Sequence, residues 1–229
     1  MKRVITLVLV MALVMASVFA ASIVSSSSSA SRMYDYLGLN IGFGITNESY
    51  DFMPGVPRED KGYQLGLSVN DFTFFDKDDS VGMYIEVGAN INTKTDTTIG
   101  GVKTDEERIV PFFADIAIGV AFKMSIDRKT ALLIGVGPDF MMYSKENHNY
   151  WTDAEWECLI IGAGFDVEGV YKVGQDVYIG VGFRGSINFY GVIMETTKTW
   201  TGHEKTTYID LDNYFGYRVL PRFSVYFGV

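Results

Sequence analysis

The chain has 229 residues, of which 28 are Asp or Glu and 19 are Lys or Arg. A net charge of −9 makes it a poor nucleic-acid binder, because a phosphate backbone attracts basic surfaces and repels acidic ones. The single cysteine, Cys158, excludes a disulfide within the chain. After the N-terminal segment the amino-acid composition stays uniform along the chain, which predicts one domain.

The first 20 residues predict a secretory signal peptide. Lys2 and Arg3 form a basic start, residues 4–15 form an unbroken apolar run, and residues 18–20 form a small-x-small cleavage site. The run is shorter than the roughly 20 residues of a membrane-spanning helix, so an uncleaved anchor is the less favoured alternative. Residues 21–33 follow as a serine-rich flexible spacer.

From residue 34 to residue 229 the sequence contains eight stretches in which every second residue is apolar. Side chains alternate between the two faces of a strand, so each stretch has one apolar face and one small or polar face. In the first stretch Leu37, Leu39 and Ile41 share one face, whereas Gly38 and Asn40 share the other. The predicted strands cover residues 34–46, 61–73, 80–93, 108–123, 130–143, 156–172, 177–192 and 208–229.

These strands predict an all-β fold, an eight-stranded antiparallel up-and-down transmembrane β-barrel. Each strand is long enough for a tilted crossing of a bilayer, which needs roughly 9 to 11 residues. A sheet lies in lipid only as a closed barrel, since an open edge would leave backbone groups unpaired. A soluble β-sandwich is the alternative, but the apolar face carries no charge over the central part of any predicted strand.

The connections between strands are of two kinds. The short ones, which we expect in the periplasm, are rich in turn residues and lie at 75–80, 125–129 and 173–176. The long polar ones, which we expect outside the cell, lie at 47–60, 93–107, 144–155 and 193–207. Threonine runs in two long loops favour extended backbone, so we expect a raised sheet above the membrane.

Residues 34–229 resemble the small eight-stranded outer-membrane proteins, the family that contains the OmpA membrane domain and OmpX. The resemblance rests on strand number, alternation and loop asymmetry, without a specific motif. The last strand also resembles the C-terminal insertion signal of that family, with Phe223, Val225 and Phe227 on one face, which implies recognition by the barrel-assembly machinery. It departs from the family by ending in Val229. We expect a monomer in outer-membrane lipid.

Three prolines fall within predicted strands, where each removes a hydrogen-bond donor from the ladder. Pro111 and Pro138 lie towards the outer ends of their strands, whereas Pro221 is well inside the eighth. We therefore expect a bulge or a local gap at Pro221. A kink at Pro138 or Pro221 would also suit a channel for small hydrophobic molecules with a lateral exit, which is known among similar barrels.

The inward face carries charges of both signs. An unpaired charge inside a narrow barrel costs on the order of several kcal/mol, so opposite charges are expected to meet there. Asp166 is expected opposite Arg184, with Arg218 at a similar depth. This predicts a salt-bridged plug, and a proton or ion relay is the functional alternative. The candidate cluster consists of Glu86, Asp115, Lys123, Asp139, Asp166, Glu168, Arg184, Arg218 and Arg222.

Aromatic residues in the outer loops are candidates for binding a partner. Tyr150 and Trp151 lie in the third long loop and Trp200 lies in the fourth. The alternative is a girdle at the membrane interface, which is favoured for Trp156 at a strand mouth. We expect a structural or adhesive role, with a host or other extracellular ligand at these loops.

Catalysis is a further alternative, because some barrels of similar outline modify lipid A. That chemistry needs a nucleophile next to a His base that an acid orients. The two histidines, His148 and His203, lie in predicted outer loops, and Ser144 with Glu146 gives His148 the better of two weak triads. Two scattered histidines also lack the spacing of metal ligands. We expect no catalytic residues, no metal and no cofactor.

The first prediction concerns location. The mature protein is expected to begin at Ala21, to fractionate with outer membranes and to change its gel mobility on boiling, as folded barrels do. N-terminal sequencing, membrane fractionation and electrophoresis of heated and unheated samples measure these properties. Recovery of a soluble periplasmic monomer would contradict the prediction.

Overall fold

The computed structural model describes residues 34–74, 80–104, 112–149, 152–198 and 204–228. The predicted signal peptide and spacer lie outside these ranges. No helix in the described part of the chain is long and apolar enough to span a membrane. The strands are β1 (Tyr34–Met53), β2 (Val56–Phe74), β3 (Val81–Ile99), β4 (Val102–Thr104), β5 (Phe112–Ser125), β6 (Thr130–Asn149), β7 (Thr152–Lys172), β8 (Val177–Lys198), β9 (Glu204–Asp210) and β10 (Phe215–Gly228).

The strands close into an antiparallel ring. The order β1-β2-β3-β5-β6-β7-β8 is completed by β10, which pairs with both β8 and β1. Two short strands stand above the ring, since β4 pairs with β3 and β9 pairs with β8. The predicted all-β barrel is confirmed, and its ring runs through eight strands.

The strands run further at the long-loop end than the sequence predicted. β1 and β2 meet at a turn of two residues, Pro54 and Gly55, although residues 47–60 were expected to be a loop. β3 turns into β4 through Gly100 and Gly101, which both have positive φ. Apolar residues stop alternating at the edge of the predicted lipid-facing segments, but the strands stay paired through their backbones beyond that edge. We call the described parts of residues 47–61, 93–104, 144–157 and 193–210 the crown.

The outward side chains of the ring form an apolar belt. On β1, Leu39, Ile41, Phe43 and Ile45 are 45–56% exposed, and the other strands of the ring repeat the pattern. A patch of this extent is not stable against water and is typical of a wall that faces lipid. Asp71 shares this face near the short-turn end, where it is buried and accepts a hydrogen bond of 3.0 Å from the Thr73 hydroxyl.

Pro138 and Pro221 each interrupt the backbone pairing with one of the two neighbouring strands. Around Pro221 the β1–β10 register is unchanged, but the pairs at residues 43 and 44 are missing. Pro138 has the same effect on the β5–β6 ladder at residues 118 and 119. A proline has no N–H, so the bond towards that neighbour cannot form. The local gap expected at Pro221 is confirmed, whereas Pro111 lies outside the described residues.

Apolar side chains fill the interior at both ends. The lower plug, at the short-turn end, consists of Phe72, Phe74, Tyr84, Ala117, Ala121, Leu133, Val170 and Tyr226. The upper plug, towards the crown, consists of Tyr50, Phe113, Met141, Ile160 and Tyr214. Glycine makes room for the rings: a Cβ atom on Gly135 would lie 2.6 Å from Cγ of Tyr84.

The second prediction tests this packing. Gly135→Ala is expected to lower the free energy of unfolding by about 1–3 kcal/mol, because the added methyl group would displace the Tyr84 ring. Gly169→Ala is the matched control, since its Cβ would make an ordinary contact, 3.7 Å from the carbonyl oxygen of Val181. Urea titration in detergent micelles measures both variants. Equal losses would contradict the prediction.

Candidate functional site

Eight charged side chains lie inside the barrel between the two plugs. From the short-turn end upward, β5, β6, β7 and β10 each contribute a residue to the lower plug and then one or two charged side chains. Each strand then reaches the upper plug or the segment that leads to it. All eight are buried. They are Glu86 on β3, Asp115 on β5, Asp139 on β6, Asp166 and Glu168 on β7, Arg184 on β8, and Arg218 and Arg222 on β10.

Arg184 and Arg218 share the same two carboxylates. Nη1 of Arg184 lies 3.1 Å from Asp115 Oδ1, and its Nη2 lies 2.6 Å from Asp139 Oδ1. Arg218 binds the other oxygen of each carboxylate, through Nη1 to Asp115 and through Nη2 to Asp139, the latter at 3.2 Å. Since neither β5 nor β6 pairs with β8 or β10, these four residues join parts of the wall that share no backbone hydrogen bonds.

Arg222 gathers the remaining carboxylates. Its Nη1 lies 2.9 Å from Glu86 Oε1, its Nη2 binds Asp166, and its Nε binds Glu168. Arg184 Nη1 also lies 2.8 Å from Glu86 Oε1, so Glu86 links the two groups. The eight side chains therefore form one network, which we call the lumen network.

Neutral polar groups hold the carboxylates in place. The Tyr84 hydroxyl donates to Glu86 at 2.5 Å, and the Asn90 amide donates to Asp115 at 2.9 Å. Asn70 donates to Asp166 at 3.1 Å, and the Ser224 hydroxyl donates to Glu168 at 3.0 Å. Such bonds offset part of the cost of removing charges from water.

The sequence predicted the register but not the partners. Asp166 lies directly opposite Arg184, as expected. Their side chains nevertheless bind different partners, because the long Arg184 side chain reaches across the narrow lumen while Asp166 meets Arg222. Asp166, Arg184 and Arg218 are all buried in the lumen network, but Asp166 is linked to Arg184 through Arg222 and Glu86 and not by a direct ion pair. Lys123 lies apart from the contacts described above, with its Nζ 4.7 Å from the centre of the Phe74 ring in the lower plug.

The space beside the lumen network is small. A cavity lined in part by Asn40, Ser68, Glu86 and Arg222 has room for about one water molecule. Among the described residues, the network and the two plugs thus fill the lumen at three levels. Among the described residues no group of three or more His, Cys, Asp or Glu side chains is arranged to bind a metal.

A second polar group lies at the mouth, and the sequence analysis missed it. Arg58 Nε lies 3.1 Å from Asp60 Oδ2, and the Thr97 hydroxyl donates to Asp60 Oδ1 at 2.6 Å. Glu48 on β1 is buried nearby. These residues were assigned to loops, but Glu48 continues the inward positions of Thr46 and earlier residues. Continuing the alternation of inward and outward side chains beyond the apolar belt would have placed Glu48 on the inward face.

A break between β9 and β10 places Tyr214 in the mouth. Asn213 has φ of 55°, and its amide donates to Asp51 Oδ2 at 2.8 Å. The backbone N–H of Asp51 donates to the carbonyl of Asp212 at 2.9 Å, which ties the break to β1. Burial, and then the negative charge of Glu48, raise the pKa of the Tyr214 phenol. Tyr214 thus stays a neutral part of the upper plug.

The remaining predicted residues fall into two groups. Phe223, Val225 and Phe227 point outward on β10, and Phe223 and Phe227 are well exposed to the lipid side. Their role as an insertion signal stays a prediction. Tyr150, Trp151, Trp200 and His203 lie outside the described residues, as does the side chain of His148.

Comparison with known proteins gives a match in structure alone. No protein-family model matches the chain, and no curated protein matches its sequence. A major outer membrane protein from Thermus thermophilus superposes with a TM-score of 0.56 at 10% identity, over 85% of this chain and 99% of that one. The fold is that of an outer-membrane β-barrel.

Two further barrels are similar in outline. The outer membrane protein OprG from Pseudomonas aeruginosa has a TM-score of 0.48 at 10% identity, covering 86% of this chain and 96% of its own. Neisserial surface protein A has a TM-score of 0.46 at 12% identity, covering 86% and 99%. The fold and the apolar belt together agree with the location expected from the sequence, an integral protein of the outer membrane.

The third prediction concerns the lumen network. Arg184→Ala is expected to cost about 3–5 kcal/mol of folding stability, because it leaves buried carboxylates without one of their partners. Asp139→Ala in the Arg184→Ala background should cost much less than it does alone, whereas Asp166→Ala should lose little of its effect there. Urea unfolding of the single and double variants measures the coupling. Equal coupling of Arg184 to both carboxylates would contradict these contacts.

Proposed function

We propose that this barrel has a structural or adhesive role at the cell surface and acts through its crown, not through its lumen. The observation that carries the proposal is that buried side chains and ion pairs fill the lumen at three levels. An eight-stranded barrel has an interior just wide enough for side chains to fill. A path for water-soluble solutes would require the ion pairs to separate and would leave buried charges unpaired.

The crown offers a surface that suits binding. β9 pairs with β8 over seven residues, and its side chains from Lys205 to Asp210 are exposed. No strand in the described part of the chain pairs with the other edge of β9. Its backbone N–H and C=O groups can therefore accept an added strand, and Tyr208, which is 72% exposed, can anchor it.

The partner in this proposal is a host or other extracellular ligand. Tyr150 and Trp151, between β6 and β7, and Trp200, between β8 and β9, are candidate contacts, since the strands beside them belong to the crown. A monomer is sufficient for this role, because each barrel carries its own crown.

Passage of small hydrophobic molecules through the wall is a second candidate. The gaps beside Pro138 and Pro221 favour it, since they interrupt pairing at the β5–β6 and β1–β10 seams, half a ring apart. The lumen network fills the space between these seams. Planar-bilayer recording and uptake of a hydrophobic probe separate the two candidates: steady openings or uptake would favour transport, and silence is expected for the closed lumen.

The absence of enzyme activity stays a prediction. The candidate triads depend on His148 and His203, whose side chains lie outside the described residues. Acyl release from lipid A, measured with the purified barrel in mixed micelles, would contradict it.

The fourth prediction tests the crown. Replacing residues 194–208 with an Asn-Gly turn, which keeps Ile193 opposite Ile209, is expected to leave assembly and heat-dependent gel mobility unchanged, because the β8–β10 pairing lies below the deleted segment. Binding of whole cells to immobilised serum and matrix proteins is expected to fall to that of cells without the protein. Trimming residues 97–104, the β3–β4 hairpin, is the control for shortening the crown elsewhere. Undiminished binding after the first replacement would contradict the role of β9.

A further inference from the structure

The lumen network contains more carboxylates than guanidinium groups. Its buried acidic residues are Glu86, Asp115, Asp139, Asp166 and Glu168, and its buried basic residues are Arg184, Arg218 and Arg222. With every group ionised, five carboxylates would meet three guanidinium groups. An unbalanced charge is strongly unfavourable where water is excluded, so balance within the network requires two further positive charges.

The excess negative charge lies around Arg222. Arg184 and Arg218 balance the two carboxylates that they share, those of Asp115 and Asp139. The single guanidinium of Arg222 contacts three carboxylates, those of Glu86, Asp166 and Glu168. Arg184 also contacts Glu86, but its one charge is already shared with Asp115 and Asp139. Two of the three carboxylates around Arg222 are therefore left unbalanced.

Two carboxylate oxygens beside Arg222 have no hydrogen-bond partner among the described residues. Oδ2 of Asp166 accepts from Arg222 and Asn70, and Oε1 of Glu168 accepts from Arg222 and Ser224. The oxygens without a partner are Oδ1 of Asp166 and Oε2 of Glu168, and both residues are fully buried. In the other three carboxylates of the network, each oxygen accepts from an arginine.

A proton suits these two oxygens better than a metal ion. Oε2 of Glu168 lies so close to β8 that a Cβ atom on Gly182 would be 2.8 Å from it. The small cavity beside the network is lined by neither Asp166 nor Glu168. Among the described residues, no group of three or more acidic, His or Cys side chains is arranged to bind a metal. A proton needs no cavity, because it becomes part of an O–H group.

We propose that the lumen network holds two protons, one on Oδ1 of Asp166 and one on Oε2 of Glu168. Each carboxylate takes up one proton from solvent as the barrel folds and forms one O–H bond. The network then has three carboxylates and three guanidinium groups, so its charges balance. The contacts of Arg222 are kept, because they go to the other oxygen of each residue. The proposal concerns the lumen and does not depend on the proposed role of the crown.

Charged and titratable groups from four other strands face the two carboxyl groups. Arg222 contacts both of them, and Arg184 lies opposite Asp166 in the β7–β8 register. Lys123 on β5 lies at the depth of Glu168, with its Nζ 4.7 Å from the centre of the Phe74 ring. The remaining groups are Tyr84 and Glu86 on β3 and Tyr226 on β10.

Bound protons make the stability of the barrel depend on pH. Carboxyl groups of the unfolded chain are ionised above about pH 5, whereas the folded network keeps its two protons. Unfolding then releases two protons, so the equilibrium constant for unfolding rises about hundredfold per pH unit. This part of the stability is complete below the pH at which unfolded carboxyl groups titrate, and it is lost as the pH rises.

The experiment compares urea unfolding of the full-length barrel in detergent micelles from about pH 5 to about pH 9. The wild type is expected to lose stability relative to the double variant Asp166→Asn, Glu168→Gln by about hundredfold per pH unit, and relative to either single variant by about tenfold. Each amide keeps an oxygen for Arg222 and places its NH2 group where the carboxyl proton was. Equal pH slopes in the wild type and the double variant would overturn the proposal.

Two further variants serve as controls. Asp139→Asn is expected to destabilise the barrel at every pH and to keep the wild-type slope, because both oxygens of Asp139 accept from arginines. An equal loss from Asp166→Asn and Asp139→Asn at neutral pH would overturn the proposal. Lys123→Gln is expected to keep the wild-type slope. A steeper slope would show that Lys123 balances one of the two carboxylates, and would overturn the assignment of two protons.

Infrared spectroscopy of the wild type tests the proposal even if a variant fails to fold. A protonated carboxyl group has a C=O stretching band that is separate from the bands of a carboxylate. We expect this band in the folded barrel at neutral pH, with a smaller band in each single variant and none in the double variant. Absence of the band from the wild type would overturn the proposal.

Discussion

The requirement that every backbone N–H and C=O find a partner inside hydrocarbon determines most of this structure. Apart from the gaps beside Pro138 and Pro221 it is met around the ring, because β10 pairs with β1 as well as β8 and leaves no open edge within the belt. Closure at eight strands then fixes the width of the lumen, and that width decides which side chains fit. Gly135 under the Tyr84 ring shows the consequence: an inward ring is accommodated because the facing residue has no side chain. Even at Pro221, where ladder bonds are lost, the register is the same on both sides.

The narrow lumen also explains why the charges form one network. Guanidinium groups on β8 and β10 reach carboxylates on β5 and β6, so each ion pair joins walls that share no backbone bond. Two arginines share Asp115 and Asp139, whereas Arg222 alone serves Asp166 and Glu168. Buried ion pairs add little net stability over apolar packing, but removing one partner is costly. Losing one arginine of the network would therefore leave carboxylates on more than one strand without one of their partners.

Alternation predicted the belt and the inward charges because lipid and lumen impose opposite demands on successive residues. Asp166 could be placed opposite Arg184 for the same reason, since a short turn fixes the register. The ion-pair partner of Asp166 could not be predicted in this way. Strand pairing gives the position of a side chain but not how far it reaches across the lumen. The crown was interpreted as loops because its strands carry polar residues on both faces, including buried inward ones such as Glu48 and Asp60. Polar strands such as the upper part of β1, with Glu48 inward and Ser49 outward, then lack the pattern that reveals a strand.

The upper plug separates two charged regions. Below it the lumen network links the walls, and above it Glu48, Asp60 and Arg58 face the mouth. Tyr50 and Tyr214 lie between them, with ring centres 6.5 Å apart, and Asp51 holds the segment that carries Tyr214. The charged groups at the mouth therefore lie apart from the buried ion pairs of the lumen network. The proposed binding on the crown does not require the lumen to open, because the paired strands of the crown, such as β8 and β9, extend past the lumen network.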